Sequence, residues 1–600
     1  MLKAFLAQTL KAVWHLRTAG FWPIWLTITA AAAVSVAWAV GRAATPIVET
    51  EGVSPDFPQT RRHVWSRGTL AALLALGIFL GCYIAMILAW EDFTYYDNDT
   101  FTLFTLRGHD FMMMIWPGSG RFLPLGLQEY NLIRHFTRTV AGYHALSIAQ
   151  LLILSYILLV LDDRLSLLAR AAITAFALTT LAIVYSFTAL FVPERNVVFS
   201  LACLLFCVKR FEQGRSAAWA AAAVVSAQIM VNYKETAFLL LLGFALGRLV
   251  LRCKNPARAG WNIARLRDRE SRLDWCLAFL GVIFFLYYLA VMYPRWGMQY
   301  ASKMRIPRIE VFLAYLRVDL LAWLLIAVVL GRVYLILRQK ARPWPFWDGL
   351  ALGGAAYFGA YLYLGLFAQY YLAPVDAIAI IYISRVAILS MRKMRAPGKV
   401  ATLALLFTCL FQGISLSGVY LYQRKNVIHG KADAARVIEA RYWSREGGAP
   451  RLFFPFACPY AIMGFASYLN YQGIPIEGLP MESAGLRPVS LVSGAVTADG
   501  PCVDYRSLIC RASGDNEPDR GDLVVVLPDD EASLADVAPY RRRGELLFSY
   551  APHPRMPQWL YPIVNCFRIA SPRASAGSVA MMWQRRLPDR WLDASVAAWR

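Results

Sequence analysis

Long apolar runs recur from about residue 69 to residue 421 of this 600-residue chain. Each longer run approaches the roughly 20 residues that a helix needs to cross a bilayer. Only 17% of the residues are charged, against about 25% in soluble proteins. We therefore predict a polytopic α-helical membrane protein with about 11–12 transmembrane helices. The runs are 69–90, 139–161, 171–192, 197–208, 216–231, 236–251, 275–293, 319–337, 349–370, 373–390 and 400–421. The 197–208 run is short and is expected to extend through its flanks.

Basic residues orient these runs, because cytoplasmic loops retain an excess of Lys and Arg. Alternate loops are basic five times in succession, and their cations are Arg164 and Arg170; Lys209, Arg210 and Arg215; Arg252, Lys254, Arg258, Arg265, Arg267, Arg269 and Arg272; Arg338, Lys340 and Arg342; and Arg392, Lys393, Arg395 and Lys399. The remaining loops and the C-terminal region are then predicted to face the exterior.

The net charge of +22 is concentrated in the membrane half. From Leu421 onward, 21 basic and 18 acidic residues leave +3, so the preceding part carries +19. This excess suits loops facing anionic lipid. No basic stripe with interleaved aromatic residues occurs on a soluble region, so nucleic-acid binding is not predicted.

The chain is predicted to have three parts. Residues 1–68 form an N-terminal extension with one apolar segment, Phe21–Val40, which either spans the membrane or lies in its interface. Residues 69–421 form the transmembrane domain, with a large first outer loop over 91–139. Residues 422–600 form a small mixed α/β domain on the exterior (periplasmic) side, marked by a strand-like run over 522–527. Four of its residues could form two disulfides if exported: Cys458, Cys502, Cys510 and Cys566.

The first outer loop carries an acidic cluster, Asp97-Asn98-Asp99, shortly after the 69–90 run. Either Asp97 or Asp99 could act as general base for an acceptor hydroxyl, and together they could hold a divalent cation. The alternative is a solvated loop start or a helix cap at Asp99. Residues 100–116 are then predicted to form a helix along the membrane surface.

Two short outer loops place an acid–base pair between consecutive apolar runs. Glu194-Arg195 lies in one loop and Lys234-Glu235 in the other. Such tight turns stay near the membrane surface, where Lys234 and Arg195 would face an anion. The alternative is an ion pair within each loop, although neighbouring residues rarely orient well for mutual pairing.

Further cations lie in the other exterior loops. Arg295 and Arg305 belong to a basic outer loop over 293–317, which departs from the positive-inside pattern and indicates an anionic ligand such as a phosphate, or alternatively contact with anionic lipid. Arg121 follows a Pro-Gly turn in the first loop. Two more candidates are Tyr371, which could instead be an interface anchor, and His109.

These residues together resemble the C-type (GT-C) glycosyltransferases, in the branches that include the protein mannosyltransferases and aminoarabinose transferases. The first-loop Asp97-Asn98-Asp99, the Lys234-Glu235 pair at the start of a run and the Tyr371-Leu372-Ala373-Pro374 stretch carry this resemblance. The chain departs from the pattern at Asn98, which separates the two carboxylates, and at Tyr370, where several branches have Arg.

The resemblance implies a transferase that moves a sugar from a polyprenyl-phosphate donor, such as undecaprenyl phosphate, to a surface glycan or lipid acceptor. It implies an active site on the exterior face of a bacterial inner membrane. Asp97 or Asp99 would be the catalytic base, and the donor phosphate would contact Lys234, Arg195, Arg295, Arg305 and Arg121. Glu194, Glu235, Tyr371 and His109 are additional candidates. No cofactor is required, although Asp97 and Asp99 could bind Mg²⁺ or Mn²⁺.

Two other classes of function remain open at the level of sequence. An O-antigen polymerase-like or ligase-like enzyme would also use exterior arginines, but a first-loop acid pair is less expected there. A polytopic transporter or flippase would place charged residues mid-membrane in broken helices, often within internal repeats. No repeat is visible in this chain.

Overall fold

The fold is described from a computed structural model of the protein. It describes residues 29–35, 67–93, 101–102, 105–107, 110–111, 113–116, 121–214, 216–254, 261–292, 307–444, 451–454, 459–476, 490–493, 523–526, 545–549 and 595–598. Of the apolar segment Phe21–Val40, only 29–35 belong to this set, and they are helical.

Helices dominate the described residues. Within the described ranges, six helices are long and apolar enough to cross a membrane, and a bent pair described below would make seven. In the first of these helices, α1, only 17% of the most apolar stretch is buried within the protein. The apolar surface that is left exposed suits contact with lipid and not with water. This is compatible with a helical membrane protein, while the finer count of about 11–12 spans stays a prediction. The helix bounds are α1 Arg67–Trp90, α2 Gln128–Ile133, α3 Val140–Leu161, α4 Leu167–Thr179, α5 Leu181–Thr188, α6 Glu194–Gly214, α7 Ala217–Tyr233, α8 Ala237–Cys253, α9 Arg269–Met292, α10 Arg308–Val318, α11 Leu320–Leu337, α12 Pro345–Leu364, α13 Ala373–Met391, α14 Ala396–Ser444 and α15 Pro459–Tyr471.

Several predicted runs have other bounds in the structure, and two of them, 197–208 and 400–421, differ most in length. The short 197–208 run does extend through its flanks, because α6 begins at Glu194 and has 21 residues. The last run does not end near 421, because α14 continues to Ser444. The boundary that we predicted at 421 therefore lies inside one continuous helix.

The predicted continuous run over 171–192 is instead a broken helix. Helices α4 and α5 meet at Thr180 with a bend of 69°. The hydroxyls of Thr179 and Thr180 donate to the carbonyls of Phe176 and Ala177, which competes with continuation of the helix. The backbone thus changes direction within an apolar segment that contains neither Pro nor Gly.

Helices α8 and α12 approach closely through glycines. A Cβ atom on Gly353 would lie 2.6 Å from the Leu240 carbonyl oxygen, and one on Gly243 would lie 2.7 Å from the Gly353 Cα. Small residues allow such backbone contact and are the common interface residues of membrane helices.

The first outer loop differs from the predicted surface helix. Met114–Trp116 (β1) pairs antiparallel with Arg121–Leu123 (β2), so the end of the 100–116 segment is a strand. The amide of Leu125 then donates to the Asn232 carbonyl at 3.1 Å. This contact attaches the segment that carries Arg121 to the turn that carries Lys234.

The chain divides into two compact units. The first contains residues 1–84, 112–129 and 145–417; the second contains 85–111, 130–144 and 418–600. Five strands of the second unit form one sheet in the order β4-β3-β5-β7-β6. Strand β3 is parallel to β4 and β5, and β7 is antiparallel to β5 and β6. The strands are β3 Arg451–Phe454, β4 Ser490–Ser493, β5 Leu523–Val526, β6 Glu545–Ser549 and β7 Ser595–Ala598.

The predicted strand over 522–527 is confirmed by β5. Most of residues 477–600 lie outside the described residues, so the exterior α/β domain itself stays a prediction. The same holds for the pairing of its four cysteines, Cys458, Cys502, Cys510 and Cys566.

Candidate functional site

Lys234 and Glu194 form a buried ion pair between two short loops of the first unit. Lys234 Nζ lies 2.8 Å from Glu194 Oε1, and the side chains are only 3% and 0% exposed. Lys234 caps the C-terminus of α7, and Glu194 lies in the first turn of α6. Each charge is therefore opposite in sign to the partial charge of its helix end. Burial disfavours the Lys234 ammonium, but Glu194, Tyr371 and Glu235 outweigh it and raise its pKa.

Tyr371 completes the surroundings of this ammonium group. Lys234 Nζ lies 4.5 Å from the Tyr371 ring centroid, within cation–π range. The Tyr371 ring stacks on Tyr361 with centroids 4.8 Å apart, and the Tyr361 hydroxyl is 2.9 Å from Thr236 Oγ1. The tyrosine is thus held by α12 and by the loop of Lys234.

Arg121 and Glu235 form a more accessible pair. Arg121 Nη1 lies 3.7 Å from Glu235 Oε1, and the side chains are 21% and 16% exposed. The guanidinium is therefore closer to solvent than the ammonium of Lys234. It places a second cation beside the buried pair.

Arg195 points into a separate polar network. Its guanidinium donates to Ser147 Oγ at 2.6 Å and to Glu129 Oε1 at 3.2 Å. Asn196 also donates to Glu129 Oε1, and the Tyr233 hydroxyl donates to Glu129 Oε2. Burial raises the pKa of Glu129, and this effect exceeds the opposing effect of Arg195.

The two predicted acid–base loops therefore pair with other segments and not within themselves. Six candidates lie in this part of the first unit: Lys234, Glu194, Glu235, Arg121, Tyr371 and Arg195. Five others lie outside the described residues: Asp97, Asp99, His109, Arg295 and Arg305. The catalytic role and the metal site assigned to Asp97 and Asp99 stay predictions for that reason.

The sequence reasoning missed Glu129 as a site residue, together with the supporting Ser147 and Tyr361. Glu129 lies among several charged residues before α3, and nothing in its spacing distinguishes it from Arg134 or Arg138. The only available signal was the need of a buried Arg195 for a carboxylate.

The first acidic residues of the outer loop are anchored within the second unit. The Arg424 Nε donates to the two Glu91 oxygens at 2.6 and 2.7 Å. The Tyr468 hydroxyl donates to Asp92 Oδ2 at 2.8 Å. Burial raises the pKa of both carboxyls, and this effect exceeds the opposing effects of Arg424 on Glu91 and of Tyr468 on Asp92. Both residues precede the Asp97–Asp99 cluster and fix the start of its loop.

A second polar cluster surrounds the broken helix. Asp376, near the start of α13, contacts Asp319 and Thr180, and its Oδ1 has no hydrogen-bond partner among the described residues. These side chains line a cavity of about 20 Å³ together with Gln412 and Tyr315. Such a volume holds about one water molecule. Asp319 lies just before α11.

No group of three or more His, Cys, Asp or Glu side chains suited to a metal ion occurs within the ranges that the structure describes. Carboxylates that lie close to one another include Asp319 with Asp376 and Glu212 with Asp274, and the latter pair is neutralised by Arg248 and Arg252.

Comparison with known proteins yields no family model that matches this sequence. No curated protein gives a significant match either. The described residues themselves are compatible with a helical membrane protein that has a buried charge cluster at the ends of several helices.

Proposed function

We propose that the chain is a membrane glycosyltransferase that moves a sugar from a polyprenyl-phosphate donor to a glycan or lipid acceptor at the exterior face of a bacterial inner membrane. The observation that carries the proposal is the buried Lys234–Glu194 pair, with Tyr371 against the ammonium and Arg121 beside it. A fixed positive charge at a helix end suits a phosphate at headgroup depth.

The chemistry follows from where charge develops. Cleavage of the sugar–phosphate bond leaves negative charge on the phosphate and positive character on the sugar. Lys234, whose pKa is raised, stays protonated and stabilises the leaving phosphate through its field in a low-dielectric site. Arg121 is the more accessible cation and is suited to direct phosphate contact.

The remaining residues of the site position a loop or accept a proton. Arg195 is fully buried and is directed to Glu129 and Ser147, so its role is to position the loop of Glu194. Asp97 or Asp99 takes the proton of the acceptor hydroxyl. Glu194 Oε2, which has no hydrogen-bond partner within the described ranges, is a second candidate for that proton.

The test is transfer of labelled sugar from a panel of polyprenyl-phosphate donors to endogenous glycans, in membranes carrying wild type, Asp97→Asn or Asp99→Asn. Asp110→Asn is the matched control, because it changes an exposed carboxylate of the same loop that pairs with Arg134. Loss of transfer in one of the first two variants only, with normal insertion, supports the proposal. Absence of transfer from every donor contradicts it.

A transporter or flippase is the second candidate, and the broken helix favours it. Transporters bind coupling ions where a discontinuous helix meets buried polar groups. The α4–α5 break at Thr180 lies beside Asp319 and Asp376 and a water-sized cavity. Uptake or flipping of a labelled lipid by wild-type proteoliposomes that is abolished by Asp376→Asn, together with no sugar transfer from any donor, would favour transport over transfer.

A further inference from the structure

A second charged cavity lies at the opposite ends of the helices that carry the candidate site. It has a volume of about 300 Å³, at the lower end of the roughly 300–1,000 Å³ typical of small-molecule sites. Its lining comes from the segment after α3, from the C-terminal parts of α6, α8 and α13, and from the start of α12 with the segment before it. Except for Arg385, which lies within the predicted run 373–390, these residues belong to the predicted cytoplasmic loops.

Cations outnumber carboxylates in the lining. Arg164, Lys209, Arg252 and Arg385 face only two carboxylates, Asp162 and Glu212. Arg385 pairs with Asp162, and Arg252 pairs with Glu212 at 3.1 Å. Two positive charges of the lining are therefore in excess over its carboxylates.

The deepest cation is built into an aromatic wall. Arg385 is only 2% exposed, and its guanidinium lies 4.8 Å from the Trp347 ring centroid and 5.3 Å from that of Trp344. Its Nε has no hydrogen-bond partner among the described residues. Lys209 Nζ lies 5.7 Å from the Phe346 ring. A buried unpaired donor in an electropositive cavity calls for an oxyanion ligand.

We propose that this cavity binds the phosphodiester headgroup of an anionic phospholipid from the cytoplasmic leaflet. Basic pockets between transmembrane helices on that side bind such headgroups. Tryptophans are typical of the headgroup level of a bilayer, as Trp344 and Trp347 would be here. The adjacent α4 presents Leu168, which is 57% exposed, to an acyl chain.

The experiment measures the apparent melting temperature of the purified protein in detergent, titrated with phosphatidylglycerol, phosphatidylcholine or inorganic phosphate. We expect stabilisation by phosphatidylglycerol alone. Each cation removed from the cavity should weaken the apparent affinity for phosphatidylglycerol about fivefold, so Arg164→Gln/Lys209→Gln should lose ~25-fold. Arg392→Gln/Lys393→Gln is the matched control, because both side chains are exposed and lie after α13, outside the cavity.

Three results would overturn the proposal: equal stabilisation by phosphatidylcholine, equal stabilisation by inorganic phosphate, or equal weakening in the two double variants. If the cavity variant does not fold, Arg164→Gln alone is used, since this side chain is exposed. An unchanged affinity in that variant would also count against the site. The readout is lipid binding and not sugar transfer, so its result is independent of the proposed enzyme activity.

Discussion

The Lys234–Glu194 pair is the residue-scale feature on which the site depends. Taking two charges out of water is costly, and only a close partner offsets that cost. A buried pair of this kind is weak evidence for stability by itself, since apolar residues of similar volume often fill such a place equally well. Its location at two helix ends, against Tyr371, is more consistent with a function.

Removing one partner of this pair should destabilise the protein strongly. We expect Lys234→Met to cost about 3–5 kcal/mol, because Glu194 is then left buried without its cation. Lys234→Met/Glu194→Gln should recover most of that loss and should remain inactive. Thermal melting in detergent measures both effects. The exposed pair Arg436–Asp433 is the control, and Asp433→Asn should change stability little. Equal effects of the two single substitutions would contradict the buried pairing.

Glu129 predicts a pH dependence of stability. Its pKa is raised by burial, so the folded state holds a proton at pH values where the unfolded state has released it. Its contribution is therefore fully present below the ordinary Glu pKa of about 4.3 and is lost as the pH rises through the folded value. Melting temperatures of wild type and Glu129→Gln, compared across this window, should differ in slope, with the variant flatter. Parallel curves would show that Glu129 is not responsible.

At the scale of elements, the α8–α12 contact should be sensitive to a single methyl group. Gly353→Ala would place a Cβ against the Leu240 carbonyl, so we expect a fall in melting temperature of several degrees, equivalent to roughly 1–3 kcal/mol of overpacking. Gly359, on the same helix, has open space at its Cβ position. Gly359→Ala should be neutral or slightly stabilising, because Ala favours helix. Similar losses in both variants would mean that the helices are not in backbone contact.

Loop charge and apolar length predicted several elements well. They placed α3, α11 and α13 to within a few residues and brought Lys234, Glu194 and Tyr371 to the same end of their helices. These predictions succeed because the length of each apolar run and the alternation of loop charge can be read directly along the sequence of a membrane protein. The break at Thr180 could not be predicted in the same way, since two threonine hydroxyls are a weak signal without Pro or Gly.

The sequence also did not reveal which charged residues of the site pair with each other. Arg195 pairs with Glu129 and not with its neighbour Glu194. The reason is that the side chains of two adjacent helical residues point in different directions. Which distant carboxylate meets the guanidinium depends on how α2 and α6 pack. The strand Met114–Trp116 was missed for a related reason: its pairing with Arg121–Leu123 overrides the local apolar pattern.

At the scale of the first unit, its helices separate two charge clusters. Helix α8 has 17 residues and is therefore about 26 Å long, with Lys234 before its start and Arg252 near its end. This is close to the roughly 30 Å of a bilayer core. The candidate site and the basic cavity therefore suit the two surfaces of one membrane.

The orientation predicted from loop charge can be tested by labelling from one side of the membrane. A membrane-impermeant maleimide applied to the exterior should label Phe136→Cys, where the side chain is 81% exposed, and should not label Lys340→Cys unless the membrane is opened. The unsubstituted chain sets the background from its native cysteines. Labelling of Lys340→Cys in sealed cells would reverse the predicted orientation.

The proposed function requires the Lys234 cluster to promote sugar transfer from a lipid phosphate. The most direct measurement is the initial rate of transfer by purified protein in proteoliposomes, comparing wild type, Lys234→Met/Glu194→Gln and Lys340→Met. We predict transfer by wild type and by Lys340→Met, with a loss of about 10²–10³-fold in the cluster variant, the size of removing one stabilising group from a leaving oxyanion. An unchanged rate in a folded cluster variant, or no transfer from any polyprenyl-phosphate sugar by wild type, would contradict it.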